Sequence, residues 1–295
     1  MNQPAAPGPA KVAVAVAILC LGWGSTWLVI KQGLADLPPF SSAAMRFAIA
    51  ALAMALVTPW LRRAEGGERP PAWMWMQMGL LNVAVSYGIV YWTEVRLPSG
   101  VTSVLWAVFP LMMAVSGHWF LRNEKVGRGH WLGYGLGFAG VGLLFQTDLR
   151  AFGVEGMTAG LVLLLSPLSA AISTTAVKRY GERYSAVLLN RNSFAFGAAL
   201  LFAVSVSREA DAELRWTGNA IFSLVYLSLV GTCLTFGLYF WLLRYASANR
   251  LSLIAFVTPC IALLFGAMFG DEPVYWHTLA GTAAMVAGIF LAARR

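Results

Sequence analysis

The sequence predicts an all-α integral membrane protein of ten transmembrane helices in two inverted five-helix repeats. Three observations carry that prediction. Of the 295 residues, 59% are hydrophobic and only 12% are charged, against roughly a quarter charged in soluble domains. Apolar runs of about 20 residues, the length that spans a hydrocarbon core, recur throughout. The stretch from Asn82 to Phe120 reappears 149 residues later as Gly231 to Phe269 without a gap. This pairs Tyr87 with Phe236, Tyr91 with Phe240, Trp92 with Trp241, Ser103 with Ser252, Pro110 with Pro259 and Gly117 with Gly266. After a one-residue gap, Glu124, Gly133 and Gly140 fall on Glu272, Gly281 and Gly288. A shared order of Trp, Pro, Glu and Gly over this length marks a duplicated unit, and internal symmetry is a mark of transporter folds.

In chain order the runs lie near 12–30, 39–61, 73–92, 99–121, 129–146, 156–176, 185–206, 217–243, 248–269 and 276–293, five per copy. Residues 11–150 are then the first repeat and 151–295 the second. Met1–Ala10, rich in Pro and Ala, reads as a disordered tail. The first run reads as a retained helix rather than a signal peptide, because it is long, holds Trp23-Gly24-Ser25-Thr26-Trp27 and has a partner in the repeat. The loops are short and carry most of the charge, which leaves no soluble domain.

With the N-terminus inside, the cytoplasmic segments hold fourteen of the Lys and Arg residues and the outer loops five, Lys31, Arg96, Arg150, Arg208 and Arg215. That bias puts both termini of a multi-pass membrane protein in the cytoplasm. An odd number of helices per copy makes the two copies cross in opposite senses. The net charge of +8 tracks the membrane face and forms no stripe with interleaved aromatics, so nucleic acid is not expected as a partner.

The three cysteines, Cys20, Cys233 and Cys260, lie inside apolar runs without a C-x-x-C, so neither a disulfide frame nor a metal site is indicated. Zincin and phosphate-loop motifs are missing. Ser116 and His118, the nearest approach to a hydrolase pair, sit two apart on a helix and point about 200° apart. The chain is expected not to be an enzyme and to need no cofactor.

Polar residues deep in apolar runs are the stronger clue, since each is costly unless it faces a partner or a wet cavity. Helix 3 offers Asn82 and Ser86 on one stripe and Tyr87, Tyr91 and Glu94 on the next. Helix 8 offers Thr232, Thr235, Phe236 and Tyr239, and helix 6 Ser166, Ser169 and Ser173 beside Pro167. Helices 4 and 9 add Ser103 and Trp106, and Ser252 and Thr258. The expected substrate-binding set is Trp23, Ser25, Asn82, Ser86, Tyr87, Tyr91, Trp106, Ser169, Thr235 and Tyr239. For single Ser and Thr residues, helix–helix packing is the competing explanation.

Pro110 and Pro259 sit near the middle of equivalent helices, where a proline removes a backbone hydrogen bond and permits a hinge. Arg46 and Arg191 occupy equivalent places in helices 2 and 7, either as anchors for a substrate carboxylate or gate-closing groups, or as structural groups bonded to helix ends. Glu94 is the one carboxylate placed to reach the pocket, as a gating or anchoring group or a route for proton antiport, with a surface pair to Arg96 as the favoured expectation. Gly133, Gly137, Gly140, Gly281 and Gly288 suit close packing of helices 5 and 10, or a dimer seam.

These residues resemble a known family. Trp23-Gly24-Ser25-Thr26 with Lys31, Arg46-Phe47, Pro98-Ser99-Gly100, mid-helix Pro110 and the duplicated Glu/Gly/Gly set resemble the EamA branch of the drug/metabolite transporter superfamily, over about residues 12–293. The resemblance implies a bacterial inner-membrane exporter of amino acids or related metabolites, with helices 1, 3, 4, 6, 8 and 9 around a central cavity. Thr93-Glu94 and the Ala107-Val108-Phe109 run depart from the family pattern and leave the substrate open among aromatic amino acids, small neutral amino acids, thiol compounds and purines. The predicted function is therefore alternating-access export of an amino-acid-like solute by a monomer or homodimer, with membrane lipid around it and protons as a candidate coupling ion. Facilitated diffusion or uptake of a sugar-like or nucleotide-like solute is the alternative within transport, and a non-transporting membrane subunit the alternative outside it.

Overall fold

The computed structural model describes residues 7–121, 127, 129–137, 139–140, 153–270 and 276–293. Among these residues the secondary structure is helical, with one isolated β-bridge between Glu68 and Tyr184. The repeated carboxylates Glu124 and Glu272, and the expected junction of the halves at 150/151, lie outside the described residues, as does most of the expected tail.

In chain order we label the segments α1 (Pro9–Gly33), α2 (Pro39–Glu65), α3 (72–94), α4 (Ser99–Phe120), α5 (129–137), α6 (Gly153–Tyr180), α7 (Ala186–Arg208), α8 (Gly218–Leu243), α9 (Ala248–Phe269) and α10 (Trp276–Ala293). Seven of them, α1, α2, α4, α6, α7, α8 and α9, are long and apolar enough to cross a membrane. Local chemistry sets several starts. Pro9 and Pro39 stand in the first turns of α1 and α2, where a missing N–H costs nothing. Ser185, Thr217 and Ser247 cap α7, α8 and α9, each side chain accepting from the amide three residues on. The start at Pro9 lies inside the segment expected to be disordered, because proline at the first helical position is already preorganised.

Two segments depart from α-helical winding. Residues Gly79–Val85 of α3 and Leu229–Leu234 of α8 are π-helical, and the 149-residue offset of the repeat carries one onto the other to within a residue. The wider turns leave carbonyls for side chains from elsewhere: Leu81 O accepts from Ser169 Oγ at 2.7 Å and Gly231 O from Arg46 at 2.9 Å. The breaks in α4 and α9 are less symmetric than their prolines. In α4 the helix stops after Trp106 and restarts at Phe109, with Pro110 in the first turn of the second half. In α9 the interruption is at Leu253, and Pro259 lies within the helix that follows. Thr258 Oγ1 donates to Ala255 O at 3.2 Å, the carbonyl that Pro259 leaves without its helical donor.

The most extensive helix pair is α2 with α7, and carboxylates cap it at both ends. Glu209, just past α7, accepts from the amides of Phe40 and Ser41 at the start of α2, at 2.7 Å each. Glu65, the last residue of α2, accepts from the amides of Ala186 and Val187 at the start of α7, at 2.8 and 3.2 Å. Each acid therefore sits at the positive end of the other helix. Glu65 also pairs with Arg244 at 3.1 Å. A second matched pair involves lysines. Lys31 Nζ donates to Glu94 O and Leu97 O at 2.6 and 3.1 Å, and Lys178 Nζ to Leu243 O and Ala246 O at 2.7 and 3.0 Å. Both ammonium groups satisfy carbonyls at a helix C-terminus.

Glycines set two close approaches. A Cβ on Gly288 would fall 2.5 Å from Gly133 O and 3.0 Å from Gly137 N, so α10 meets α5 backbone to backbone. A Cβ on Gly79 would fall 2.7 Å from Ser193 O, and one on Gly197 would meet Val83 and lie 2.9 Å from Gly79 O. Val in place of Gly197 is expected to lower the stability of the detergent-solubilised protein by about 1–3 kcal/mol or more, the cost of overpacking. A thermal shift followed by size-exclusion chromatography checks it. Gly218→Ala, with open space at its Cβ, is the control and should lose far less.

Outside the bundle, the loop at Asp36 is clasped to the start of α8. Its carboxylate accepts from Thr217, Asn219 and Arg215. The Thr217 hydrogen bond, ahead of Asn219 and Arg215, holds its pKa below the usual carboxylate range.

Candidate functional site

Six segments converge on a central cavity with a volume of about 70 Å³, room for several waters or a compact flat solute. Trp23, Thr26, Trp27 and Ile30 reach it from α1 and Asn82, Ser86, Tyr87 and Val90 from α3. Trp106 and Phe109 come from α4, Ala170 and Thr174 from α6, and Phe236 and Tyr239 from α8. From α9 come Leu251, Ser252, Ile254, Ala255 and Thr258. The π segment of α3 and the break in α4 both border the cavity. Local departures from α-helix thus aim Asn82 on one side and Trp106 and Phe109 on the other.

The wall is mostly aromatic, in two groups. Trp23 meets Phe236 edge-on at 5.8 Å and Tyr239 at 5.2 Å, while Tyr87 lies 6.0 Å from Phe236. In the second group Trp106 stacks on Phe109 at 4.9 Å and leans on Trp27 at 6.2 Å. Polar tips are tied into the scaffold where they can be: Trp106 Nε1 donates to Ser166 Oγ at 2.9 Å, which is itself 2.9 Å from Ser86 Oγ. This chain links α4, α6 and α3 along one side. Other polar groups have no such tie. Asn82 and Thr174 line the cavity, 7% and 2% exposed, and no hydrogen bond joins either side chain to the described residues. Trp23 Nε1 is buried without a partner and out of reach of water. Buried polar groups are nearly always satisfied, so the Asn82 carboxamide and the Thr174 hydroxyl are the natural polar contacts for whatever enters.

Behind Tyr87 sits Arg46, fully buried. Its Nε donates to Thr232 Oγ1 at 2.8 Å, one terminal nitrogen to Gly231 O at 2.9 Å, and the other reaches Tyr91 Oη at 3.4 Å. The guanidinium carbon lies 4.8 Å from the Tyr87 ring centroid, a cation–π contact. Arg46 is therefore a tie between α2 and the π segment of α8, separated from the cavity by a tyrosine ring.

Of the ten residues expected to bind substrate, Trp23, Asn82, Ser86, Tyr87, Trp106 and Tyr239 line the cavity. The other four are turned away. Ser25 bonds Gly22 O and Tyr226 Oη, Tyr91 meets Arg46, and Ser169 bonds Leu81 O. Thr235 packs its methyl toward Gly22. Arg191 donates to its neighbour Asn192 Oδ1 at 3.0 and 2.9 Å, a local contact away from the cavity. The expected Glu94–Arg96 surface pair does not form. Glu94 is fully buried, while Arg96 turns outward to Glu155 at 3.2 Å and over Trp92. The helix ends at Glu94, and the turn that follows carries Arg96 outward.

Thr26, Trp27, Ile30 and Phe109 line the cavity from outside the expected set, and Phe236, offered within the polar wedge of helix 8, lines it as well. The first three share the face of Trp23 at i+3, i+4 and i+7 spacing, and Phe236 is the repeat mate of Tyr87, so the signal for both was present. Phe109 faces the cavity because α4 breaks before it, and no sequence spacing reveals that.

Comparison with known proteins adds an independent line. The model of the EamA-like transporter family matches this chain twice, over residues 10–146 and 157–294. The uncharacterised transporter YoaV of Bacillus subtilis (strain 168) is 27% identical, the match covering 95% of this chain and 96% of YoaV. The uncharacterised inner membrane transporter YedA of Escherichia coli (strain K12) is 29% identical over 85% of this chain and 80% of its own. A solved crystal structure aligns with a TM-score of 0.76 at 18% identity, covering 97% of this chain and 99% of that one; this is a likeness of fold.

Proposed function

Because the chain belongs to the EamA-like transporter family, a family of multi-pass membrane proteins, we propose that it is a secondary transporter of the inner membrane. It carries a small solute by alternating access through the central cavity and exports amino-acid-like or related metabolites. The ten segments act as two inverted halves of five helices, with both termini cytoplasmic. Solute, lipid and protons are the partners, no nucleic acid is involved, and no bond is made or broken. The working unit is a monomer or homodimer, with α5 and α10 away from the solute path.

The observation that carries this reading is the composition of the cavity wall. Residues from both matched stretches line it, Trp23 to Phe109 from one and Ala170 to Thr258 from the other. A site shared by two similar halves is the arrangement in which rocking one half against the other exposes the solute to alternate sides. The reciprocal Glu65 and Glu209 caps and the matched Lys31 and Lys178 contacts support the two-half description. The α2–α7 pair, tied at both ends, is the axis for that motion, and the interruptions in α4 and α9 are its compliant points.

Counterflow into proteoliposomes holding the purified protein, with and without an imposed pH gradient, tests the proposal. The expected result is saturable uptake of one solute class. Trp106→Ala should cut kcat/KM for that class by about tenfold or more, the scale of losing an aromatic contact together with its hydrogen bond. Saturable uptake that ignores the gradient would assign facilitated diffusion. Failure of uptake across amino acids and neutral ring compounds would leave a membrane partner subunit as the better reading.

A further inference from the structure

Resting on the transport reading above but replacing its amino-acid-like solute, we infer that the solute is a neutral, planar heteroaromatic ring whose edge presents an adjacent hydrogen-bond donor and acceptor. It is nucleobase-like in chemistry rather than a zwitterionic amino acid. Four features of the cavity lead there.

The first is charge. The lining contains no Asp, Glu, Lys, Arg or His. A zwitterion would bring a carboxylate and an ammonium into an apolar site, and each is costly there without an opposite charge or a full set of hydrogen bonds. The second is the position of Arg46. Its donors are directed to Thr232, Gly231 and Tyr91, and the Tyr87 ring lies between it and the cavity. It cannot bind a carboxylate there without giving up those contacts, yet its field still disfavours an organic cation at the Tyr87 wall.

The third feature is shape. Trp23, Tyr87, Phe236 and Tyr239 form one aromatic wall and Trp27, Trp106 and Phe109 another. Faces of this kind suit a flat π system, because offset stacking and edge contacts add to apolar burial. The fourth is the unanswered polar lining. Asn82 offers a carboxamide, one donor side by side with one acceptor, and Thr174 offers a hydroxyl that makes no hydrogen bond to the described residues. A carboxamide is complementary to a ring edge with adjacent N–H and acceptor nitrogen or oxygen, as Asn and Gln show when they bind the adenine edge bidentately. Asn82 sets orientation and the aromatic groups supply burial.

The test uses full-length protein in proteoliposomes with labelled adenine, uracil, tryptophan and phenylalanine as probes, and quenching of intrinsic fluorescence as a binding readout independent of flux. The expected result is saturable flux of adenine or uracil about tenfold or more above that of either amino acid. Asn82→Leu should remove most of that preference, and Asn82→Gln, which keeps the carboxamide, should retain part of it. Amino-acid flux equal to or above nucleobase flux overturns the solute class, and a nucleobase preference unchanged in a folded Asn82→Leu protein overturns recognition of the ring edge by Asn82; either result leaves the transport reading intact. If Asn82→Leu does not fold, the wild-type ranking of the four probes and the Asn82→Gln protein decide. Saturable flux and quenching missing for all four probes overturn the transport reading, and this inference with it.

Discussion

Arg46→Met is expected to cost about 2–4 kcal/mol of stability and to leave little folded protein after detergent extraction. The substitution fills much of the volume but strands the Gly231 carbonyl, which the π segment of α8 has released from its own helix. It also removes the bond to Thr232 and the contacts to Tyr91 and Tyr87. Leaving one buried polar group unsatisfied costs about 1–3 kcal/mol, and here a cation–π contact is lost as well. Arg46→Lys should recover only part, because a single ammonium cannot reproduce the planar fork. Thermal unfolding monitored by size-exclusion chromatography reads both. Wild-type stability in Arg46→Lys would show that the charge matters and the geometry does not.

Glu65→Ala should have the next largest effect, about 2–4 kcal/mol. It removes the acceptor for two amides at the start of α7 and for Ser185 Oγ, and leaves Arg244 without its partner. Losing a helix cap costs about 1 kcal/mol, and stranding a mostly buried charge adds more. The mirror substitution Glu209→Ala takes away the equivalent cap on α2, where the added contact is the hydroxyl of Ser41, itself bonded to Ser205, rather than a cation. It should cost less, about 1–2 kcal/mol. Comparing the two by thermal unfolding isolates the Arg244 term, and equal losses would mean that the ion pair contributes nothing.

The membrane class was legible because apolar length and low charge are properties of short windows, which need no knowledge of the partner helices. Much of the cavity was legible for a related reason. Asn82, Tyr87, Trp106 and Tyr239 stand out where an apolar run has no local use for a polar tip. What could not be read depends on contacts between distant segments. The π turns at Gly79–Val85 and Leu229–Leu234 exist because side chains such as Ser169 and Arg46 take up the carbonyls they release, and no local propensity encodes that exchange. Ser25 and Ser169 look like cavity residues in a helical wheel but find protein partners instead. Glu65 and Glu209 look like ordinary solvated charges at helix ends until the other helix is placed against them. Proline was a half-reliable guide, marking the interruption in α4 and missing the one in α9.

The lysine contacts and the Arg46 contacts also differ in when they can form during synthesis. Lys31 meets carbonyls 63 and 66 residues further along the chain, and Lys178 meets its own at separations of 65 and 68. Arg46 must wait for Thr232, 186 residues later. At a translation rate of about 5–20 residues per second, that interval is roughly 10–40 s, during which a guanidinium on α2 has Tyr87 and Tyr91 within its own half but lacks Thr232 and the Gly231 carbonyl. The first half therefore reaches the bilayer with its lysine clasp available and its arginine only partly answered. A nascent chain halted before α8 should stay near the insertion machinery or its chaperones until the second half releases it.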